Sequence, residues 1–266
     1  IKQAHYSAKR IRKYLDIPTS IVTDSVKYLK ETYKDYEEVF DQIIEVPFTN
    51  NSTTKRYFDG SGVAKHLQFK NDMRTKSYEL TPYDETILLD SDYIIANSLF
   101  KNCFEQDHNF LIFKNAKDLT AWRDTAEFQK ISDTSIDFYW ATVIFFRKSE
   151  ENKVFFELTQ HIQENWSHYN SIFQVNRGLF RNDHLFSIAI HIMNGYQEGD
   201  FAHKLPGTKY YTADRDILWE LDEDNFLFLL EKENHLGEYT PLRIKGSNIH
   251  VMNKFSLNRI IDGGVL

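Results

Sequence analysis

The chain alternates between short apolar runs and longer segments in which apolar residues recur with helical spacing. A short apolar run between polar residues predicts a buried strand, and helical spacing predicts an amphipathic helix. Strands are predicted at 20–24, 42–46, 86–92, 110–113 and 138–146, and helices at 1–15, 25–36, 63–80, 98–103, 152–169 and 183–194. A polar loop is predicted at 50–62, and short strands with loops at 205–251. This alternation is typical of an α/β fold whose mixed, mainly parallel sheet is flanked by helices.

The run at 86–95 contains two carboxylates, Asp90 and Asp92, after its first apolar part. Residues two apart on a strand project to the same side, so both carboxylates can point at one place. They repel each other unless a positive charge lies between them, and Mg²⁺ and Mn²⁺ prefer oxygen ligands of this kind. The pattern therefore predicts a divalent metal site. A plain polar turn is the alternative, since Asp and Ser both favour turns.

Length and composition limit the possible classes of protein. With 266 residues, 41% of them hydrophobic, the chain can build a substantial core, and we expect a single domain over 1–266. The net charge of −7 does not favour nucleic-acid binding. The one cysteine, Cys103, cannot form an internal disulfide, which favours a reducing compartment and a cytoplasmic location. No apolar run reaches the length of a membrane span.

Helical spacing begins with the first residues of the chain, where Ile1, Ala4, Ala8, Ile11 and Leu15 recur on one side. An α/β fold usually opens with a strand. We therefore expect the opening strand either to lie upstream of Ile1 or to be absent.

Four segments carry a pattern that recurs in one enzyme family. They are, in order, a strand ending in Thr23-Asp24, a basic helix followed by Pro82-Tyr83-Asp84 and the Asp-Ser-Asp triplet, the strand at 138–148 with Arg181-Asn182-Asp183 after the next helix, and the segment at 250–254. Together they resemble the nucleotide-sugar glycosyltransferases of the GT-A fold, in particular the glycogenin-like and bacterial galactosyltransferase-like group, in which the triplet is the DxD motif. The chain departs from that family in having Trp140-Ala141-Thr142 where Asn-Ala-Gly is usual, and in placing Lys254 closer to His250.

The resemblance implies a fold, an activity and a set of site residues. The fold is the Rossmann-like GT-A fold, here without its first nucleotide-binding strand. The activity is metal-dependent transfer of a sugar from a nucleotide-diphosphate sugar, with a UDP-sugar expected, to a glycan, protein or small-molecule acceptor, with retention of configuration. The implied roles are Asp90, Asp92 and His250 as ligands of Mn²⁺ or Mg²⁺, Arg74, Lys76 and Lys254 as contacts to the donor, Thr23 and Asp24 as contacts to the nucleoside, Trp140 as a platform that stacks on the sugar, and Asp183 as a catalytic carboxylate beside the reacting sugar.

Each of these residues also has a structural interpretation. Asp183 can cap the helix that follows it, and Trp140 can be a core residue. His250 can be a structural residue of a strand. The basic residues can lie on the solvated face of a helix, and the segment at 23–24 can be a simple transition from strand to turn.

Two other functions are compatible with the sequence. An apolar strand followed by Asp-x-Asp also occurs in haloacid-dehalogenase-like phosphotransferases, in which the first aspartate is the nucleophile. That family usually has Thr or Val where this chain has Ile94, and it places the motif near the N-terminus. The other alternative is a transferase-like protein that binds carbohydrate without turnover.

Overall fold

The computed structural model describes residues 1–47, 53–58, 64–69, 73–120, 129–132, 136–175, 180–233, 235 and 237–263. At 53–58 and 64–69 it describes the backbone alone. The strands in these ranges pair into five small sheets. The helices in these ranges are α1 (Lys2–Leu15), α2 (Val26–Thr32), α3 (Tyr36–Val39), α4 (Ser77–Leu80), α5 (Asn102–Glu105), α6 (Glu150–Glu164), α7 (Trp166–Ile172), α8 (Asn182–Met193) and α9 (Lys254–Ile261). Short 3₁₀ turns cover Arg74–Lys76 and Leu99–Lys101. The strands are β1 (Ser20–Thr23), β2 (Gln42–Glu45), β3 (Thr53–Phe58), β4 (Ala64–Phe69), β5 (Glu85–Leu89), β6 (Tyr93–Ile94), β7 (Phe110–Phe113), β8 (Ala116–Asp118), β9 (Trp140–Arg147), β10 (His203–Lys204), β11 (Lys209–Tyr211), β12 (Ile217–Asp222), β13 (Asn225–Glu231), β14 (Tyr239–Lys245) and β15 (Ile249–His250).

The sheets combine parallel and antiparallel pairing. β1 and β2 form a parallel pair, while β10-β7-β9-β5 form a mixed sheet in which β9 runs antiparallel to both neighbours. β6-β15-β11-β8 form a second mixed sheet, β12-β13-β14 are antiparallel, and β3 and β4 form an antiparallel hairpin. The predicted mixed α/β fold flanked by helices is confirmed. The expected predominance of parallel pairs is wrong for the described residues, because β9 lies antiparallel between β5 and β7 and the C-terminal strands follow one another as antiparallel neighbours.

The main core lies between the β10-β7-β9-β5 sheet and helices α6 and α8. The ring of Phe146 on β9 lies 4.8 Å from that of Phe156 on α6, and Phe155 lies 5.6 Å from Phe186 on α8. All four rings are buried, and each buried aromatic side chain of this kind contributes roughly 1.5–3 kcal/mol. β9 is therefore held rigidly at the centre of the fold, and its first residues lie under the candidate site.

The strand predictions at 110–113 and 138–146 agree with β7 and β9, but the prediction for 63–80 was wrong in its first part. There the backbone forms β4, which pairs in register with β3, and the first helical residues described after it are Arg74–Lys76. β3 also lies within the segment predicted as a polar loop at 50–62. The remaining residues of both segments between 48 and 72 lie outside the described ranges. A hairpin is stabilised by hydrogen bonds between the backbones of its two strands. This pairing can override the weak preference for a helix that the spacing of side chains indicated.

None of the helices in the described ranges combines the length and the apolar character that crossing a bilayer requires.

Candidate metal centre

Asp90 and Asp92 lie in a turn that joins β5 to β6. The N–H of Tyr93 donates to the carbonyl of Asp90 at 3.0 Å and closes the turn. The N–H of Asp90 donates to the carbonyl of Thr142 at 2.9 Å and ties the turn to the neighbouring strand β9. The two carboxylates thus belong to the turn after the strand rather than to the strand itself, because β5 and β6 enter different sheets.

The pairing of β15 with β6 brings His250 to this turn. His250 faces Tyr93 in the antiparallel pair, and the N–H of Val251 donates to the carbonyl of Asp92 at 3.0 Å. As a result, Nε2 of His250 lies 3.4 Å from Oδ1 of Asp92. The register of a strand pair decides which residues meet, and a slip of one residue would turn His250 to the other face.

Asp90, Asp92 and His250 can together hold a metal ion. Each offers one ligand atom, and these atoms all lie within 4.8 Å of one another. Ligand atoms around an octahedral Mg²⁺ or Mn²⁺ lie about 3–4.2 Å apart, so small side-chain rotations would complete the fit. Carboxylate oxygens suit Mg²⁺ and Mn²⁺, and the imidazole nitrogen favours Mn²⁺ over Mg²⁺. The chemistry of the donor set therefore fits the ion that the sequence analysis expected.

Both carboxylates are paired with basic side chains. The Arg74 guanidinium donates to Oδ1 of Asp90 and to the carbonyl of Ala141. Nζ of Lys254, in the first turn of α9, lies 3.1 Å from Oδ2 of Asp92. Arg74 and Lys254 are thus brought to the two carboxylates, as expected from the sequence.

The charges around Asp90 and Asp92 alter the pKa of each group. Burial raises the pKa of Asp92, but Lys254 and then His250 lower it more, so that the net pKa lies well below the usual range of an aspartate. Burial raises the pKa of Asp90, Arg74 opposes that rise and the charge of Asp92 adds to it, so that the net pKa lies above the usual range of an aspartate. The side chain of Asp90 is 36% exposed and is paired directly with Arg74.

Asp183, the second residue of α8, is joined to the same cluster through β9. Its Oδ1 accepts a hydrogen bond from the N–H of Ala141 at 2.9 Å, and its Oδ2 accepts one from Nη2 of Arg181 at 2.6 Å. Burial raises the pKa of Asp183, but Arg181 and the N–H of Ala141 lower it to a net value below the usual range. The carboxylate therefore fastens α8 to β9, and its side chain retains 16% exposure.

The cluster contains a residue that sequence reasoning missed. Lys209 on β11 is fully buried, and its Nζ lies 3.2 Å from Nδ1 of His250 and 4.2 Å from the centre of the Trp140 ring. Burial lowers the pKa of Lys209 to about 7, although Asp183, Asp90 and Asp92 act to raise it. Lys209 and Tyr211 share one face of the strand, but three residues are too few for an alternating pattern to reveal a buried lysine.

The stacking role predicted for Trp140 does not fit this geometry. Its side chain is only 1% exposed, and Lys209 lies over the indole ring. A platform for a sugar needs an open ring face, so Trp140 is a core residue on which Lys209 packs.

The local contacts of three other predicted residues are these. At the end of β1, Oγ1 of Thr23 accepts from the N–H of Ser25 at 3.1 Å, and Oδ1 of Asp24 accepts from the Ser25 hydroxyl at 2.8 Å. Lys76 is exposed at the end of the 3₁₀ turn that begins with Arg74. The hydrogen bonds at 23–24 are those of a strand entering a turn.

Comparisons of the chain with protein-family models, with curated proteins and with solved structures find no match. A function therefore has to be inferred from the residues of the site.

Proposed function

We propose that this protein is a metal-dependent glycosyltransferase that transfers a sugar from a nucleotide-diphosphate sugar, a UDP-sugar in our expectation, to an acceptor. The observation that carries the proposal is the meeting of Asp90 and Asp92 with His250 and Lys254, which come from the far end of the chain. Two carboxylates, an imidazole and nearby ammonium and guanidinium groups are the side chains that a complex of an ion with a diphosphate requires.

We propose the GT-A fold as the finer description of the mixed α/β architecture. The order of strands and helices leading to the turn at Asp90 and Asp92 supports this, as does the return of His250 to that turn through β15. The proposal makes the chain one catalytic unit, in which the N-terminal half supplies the carboxylates and the C-terminal half supplies His250 and Lys254.

In this proposal each side chain has a defined task. Asp90, Asp92 and His250 hold the divalent ion, which, when bound, neutralises the charge that develops on the leaving diphosphate. Lys254 and Arg74 donate hydrogen bonds to phosphate oxygens. Asp183 lies next to the first residues of β9 and orients a sugar hydroxyl or stabilises positive charge at the anomeric carbon, with retention of configuration as the expected outcome.

The acceptor is a glycan, a protein or a small molecule. The net charge of −7 disfavours a nucleic acid in this role. Cys103 is a buried free thiol, which supports work in a reducing compartment such as the cytoplasm.

The first test is ion-dependent binding of UDP, measured by calorimetry and by the rise in melting temperature that a ligand of the folded state produces. We expect UDP to bind with Mn²⁺ and only weakly without it. Asp92→Asn removes a ligand charge and should abolish the dependence on Mn²⁺. Asp84→Asn is the matched control, since it makes the same chemical change at an exposed position just before β5.

The second test separates the alternative functions. Mn²⁺-dependent hydrolysis of a UDP-sugar in water supports a transferase, whereas binding without any turnover supports a carbohydrate-binding protein. A stable aspartyl-phosphate on Asp90 would instead identify a phosphotransferase of the haloacid-dehalogenase type. Equal Mn²⁺-dependent affinity for UDP in the native protein and in Asp92→Asn would refute the metal site.

A further inference from the structure

Each carboxylate of the candidate metal centre already has a cation beside it. Arg74 donates to Asp90, and Nζ of Lys254 lies 3.1 Å from Oδ2 of Asp92. In each pair one partner is poorly solvated, since the side chains of Arg74 and Asp92 are only 11% and 7% exposed. A divalent ion that enters this centre must compete with these two ion pairs for the same oxygen atoms.

Each negative charge of the cluster already has a positive partner before any ligand arrives. The three carboxylates, Asp90, Asp92 and Asp183, are paired one to one with Arg74, Lys254 and Arg181. Adding a divalent ion alone leaves an excess of positive charge in a region of low dielectric constant, which is unfavourable. Adding the ion together with a ligand that carries two or more negative charges restores the balance.

We propose that the ion and a polyanionic ligand enter by an exchange of ion pairs, in which the ion replaces Lys254 on Asp92 while Lys254 moves to the anion. This inference rests on the proposed metal site. It adds that, without an ion, Arg74 and Lys254 are paired with the carboxylates that would bind the ion. The anion is a molecule with adjacent phosphate groups, because the divalent ion, Lys254 and Arg74 each need a negatively charged partner.

The two basic residues have different freedom to move. Arg74 is held by a second hydrogen bond to the carbonyl of Ala141, so its guanidinium has a fixed pivot. Lys254 is 25% exposed and has a long, flexible stem at the beginning of α9. Lys254 is therefore the side chain that exchanges partners, and Arg74 is the one that turns in place.

The exchange couples the two binding events. A polyanion that draws Lys254 away from Asp92 removes the competitor of the ion, and the ion in turn releases Lys254 for the anion. By linkage, each ligand must raise the affinity for the other by the same factor, and couplings of this kind amount to about 5- to 150-fold.

The test measures Mn²⁺ binding directly, from the electron paramagnetic resonance signal of the free ion, with and without UDP. In the native protein UDP should raise the affinity for Mn²⁺ by about fivefold or more. Lys254→Met should bind Mn²⁺ alone about two- to fivefold more tightly, the worth of a partly exposed ion pair, and should lose most of the enhancement by UDP. Lys254→Arg keeps the cation and should retain most of the enhancement by UDP that Lys254→Met loses.

Two controls make the result decisive. Lys27→Met removes a lysine whose side chain is 88% exposed and should change neither affinity. Asp92→Asn reports how much Mn²⁺ the nucleotide holds in solution. If Lys254→Met melts at the native temperature but binds Mn²⁺ alone no more tightly, the exchange is refuted while the metal site stands. If Asp92→Asn binds Mn²⁺ as the native protein does, the metal site itself is refuted, and the exchange with it.

Discussion

The carboxylate of Asp183 accepts a hydrogen bond from the backbone N–H of Ala141, with 2.9 Å between Oδ1 and N. The carbonyl of the same Ala141 accepts from Arg74, which also donates to Asp90. One residue of β9 thus joins the start of α8 to the turn that carries the metal-site carboxylates. Because β9 is buried on both faces, this connection is rigid, and it sets the position of Asp183 relative to Asp90.

This connection leads to a prediction for Asp183→Asn. The amide keeps an oxygen that can accept from the N–H of Ala141 but loses the charge that pairs with Arg181. We expect the free energy of unfolding to fall by roughly 1–2 kcal/mol, as for a partly exposed charge-assisted hydrogen bond. We also expect Mn²⁺-dependent UDP binding to persist while hydrolysis of the UDP-sugar falls by at least about tenfold, since in the proposed function this carboxylate acts on the sugar and does not bind the ion.

Calorimetry and a hydrolysis assay on the same preparation measure both effects of Asp183→Asn. Asp107→Asn, outside the site, serves as the control with the same chemical change. If hydrolysis stays at the native level, Asp183 is a structural link between α8 and β9 and has no catalytic role.

Lys209→Met should raise the affinity for Mn²⁺ without lowering stability. Methionine has a similar length and fits between Trp140 and Tyr211, and it removes a buried amino group. Burying an ammonium group without a carboxylate partner is costly, so the free energy of unfolding should stay level or rise. The affinity for Mn²⁺ should rise by about twofold or more, because a positive charge next to His250 is lost and because an ammonium that donates to Nδ1 keeps the ring proton on Nε2.

Chemical denaturation and Mn²⁺ titration of Lys209→Met test these two expectations separately. Lys204→Met, a change at an exposed lysine on β10, the strand that precedes β11 in the chain, is the control. A fall in the affinity for Mn²⁺ would instead show that Lys209 positions the His250 ring for the ion.

The sequence was sufficient to predict the parts of the site that depend on neighbouring residues. Asp90 and Asp92 follow an apolar run, which correctly signals the strand β5. The expected burial of that strand is wrong, because β5 is only partly buried and lies at the end of the order β10-β7-β9-β5. β7 was predicted at its observed bounds from an apolar run of the same kind. In both cases the signal is contained in a few consecutive residues, so no knowledge of the tertiary structure is needed.

The parts that escaped prediction depend on contacts between distant segments. Lys209 looks like a surface lysine until β11 is placed beside β15, which buries it against His250 and Trp140. Of the two interpretations of Trp140, the platform for a sugar required an open ring face, and Lys209 covers that face. The hairpin of β3 and β4 was missed because it is held by pairing between two backbone segments. The spacing of apolar residues along one segment does not reveal that pairing.

The packing of α1 gives a prediction about pH. The His5 ring lies 4.2 Å from that of Tyr33, and its Nε2 lies 2.9 Å from Oδ1 of Asp35. Burial lowers the pKa of His5 below the usual 6.5, although Asp35 acts to raise it. The folded state therefore binds fewer protons than the unfolded state just below pH 6.5, and the free energy of unfolding falls as the pH drops through this range.

A comparison with His5→Gln isolates this effect. The variant cannot take up the proton, so its free energy of unfolding should fall less between pH 7 and pH 5, by at most about 1.4 kcal/mol per pH unit. Burial also lowers the pKa of His191, but that residue is present in both proteins and cancels in the difference. Parallel curves for the two proteins would show that His5 is not buried in solution and that α1 packs differently.

The pairing of β15 with β6 gives the last prediction, which concerns His250→Ala. His250 reaches the metal centre only because it faces Tyr93 in this pair, and its Nε2 lies 3.4 Å from Asp92. Removing the imidazole takes away one of three possible ligands and leaves the strand pairing intact, since the paired groups belong to the backbone. We expect Mn²⁺ affinity and Mn²⁺-dependent UDP affinity to fall together by about tenfold or more, the reverse of the separation expected for Lys254→Met. His161→Ala, on the exposed surface of α6, should change neither. If His250→Ala lowers UDP affinity but leaves Mn²⁺ affinity unchanged, then the imidazole contacts the nucleotide, and the two carboxylates hold the ion without it.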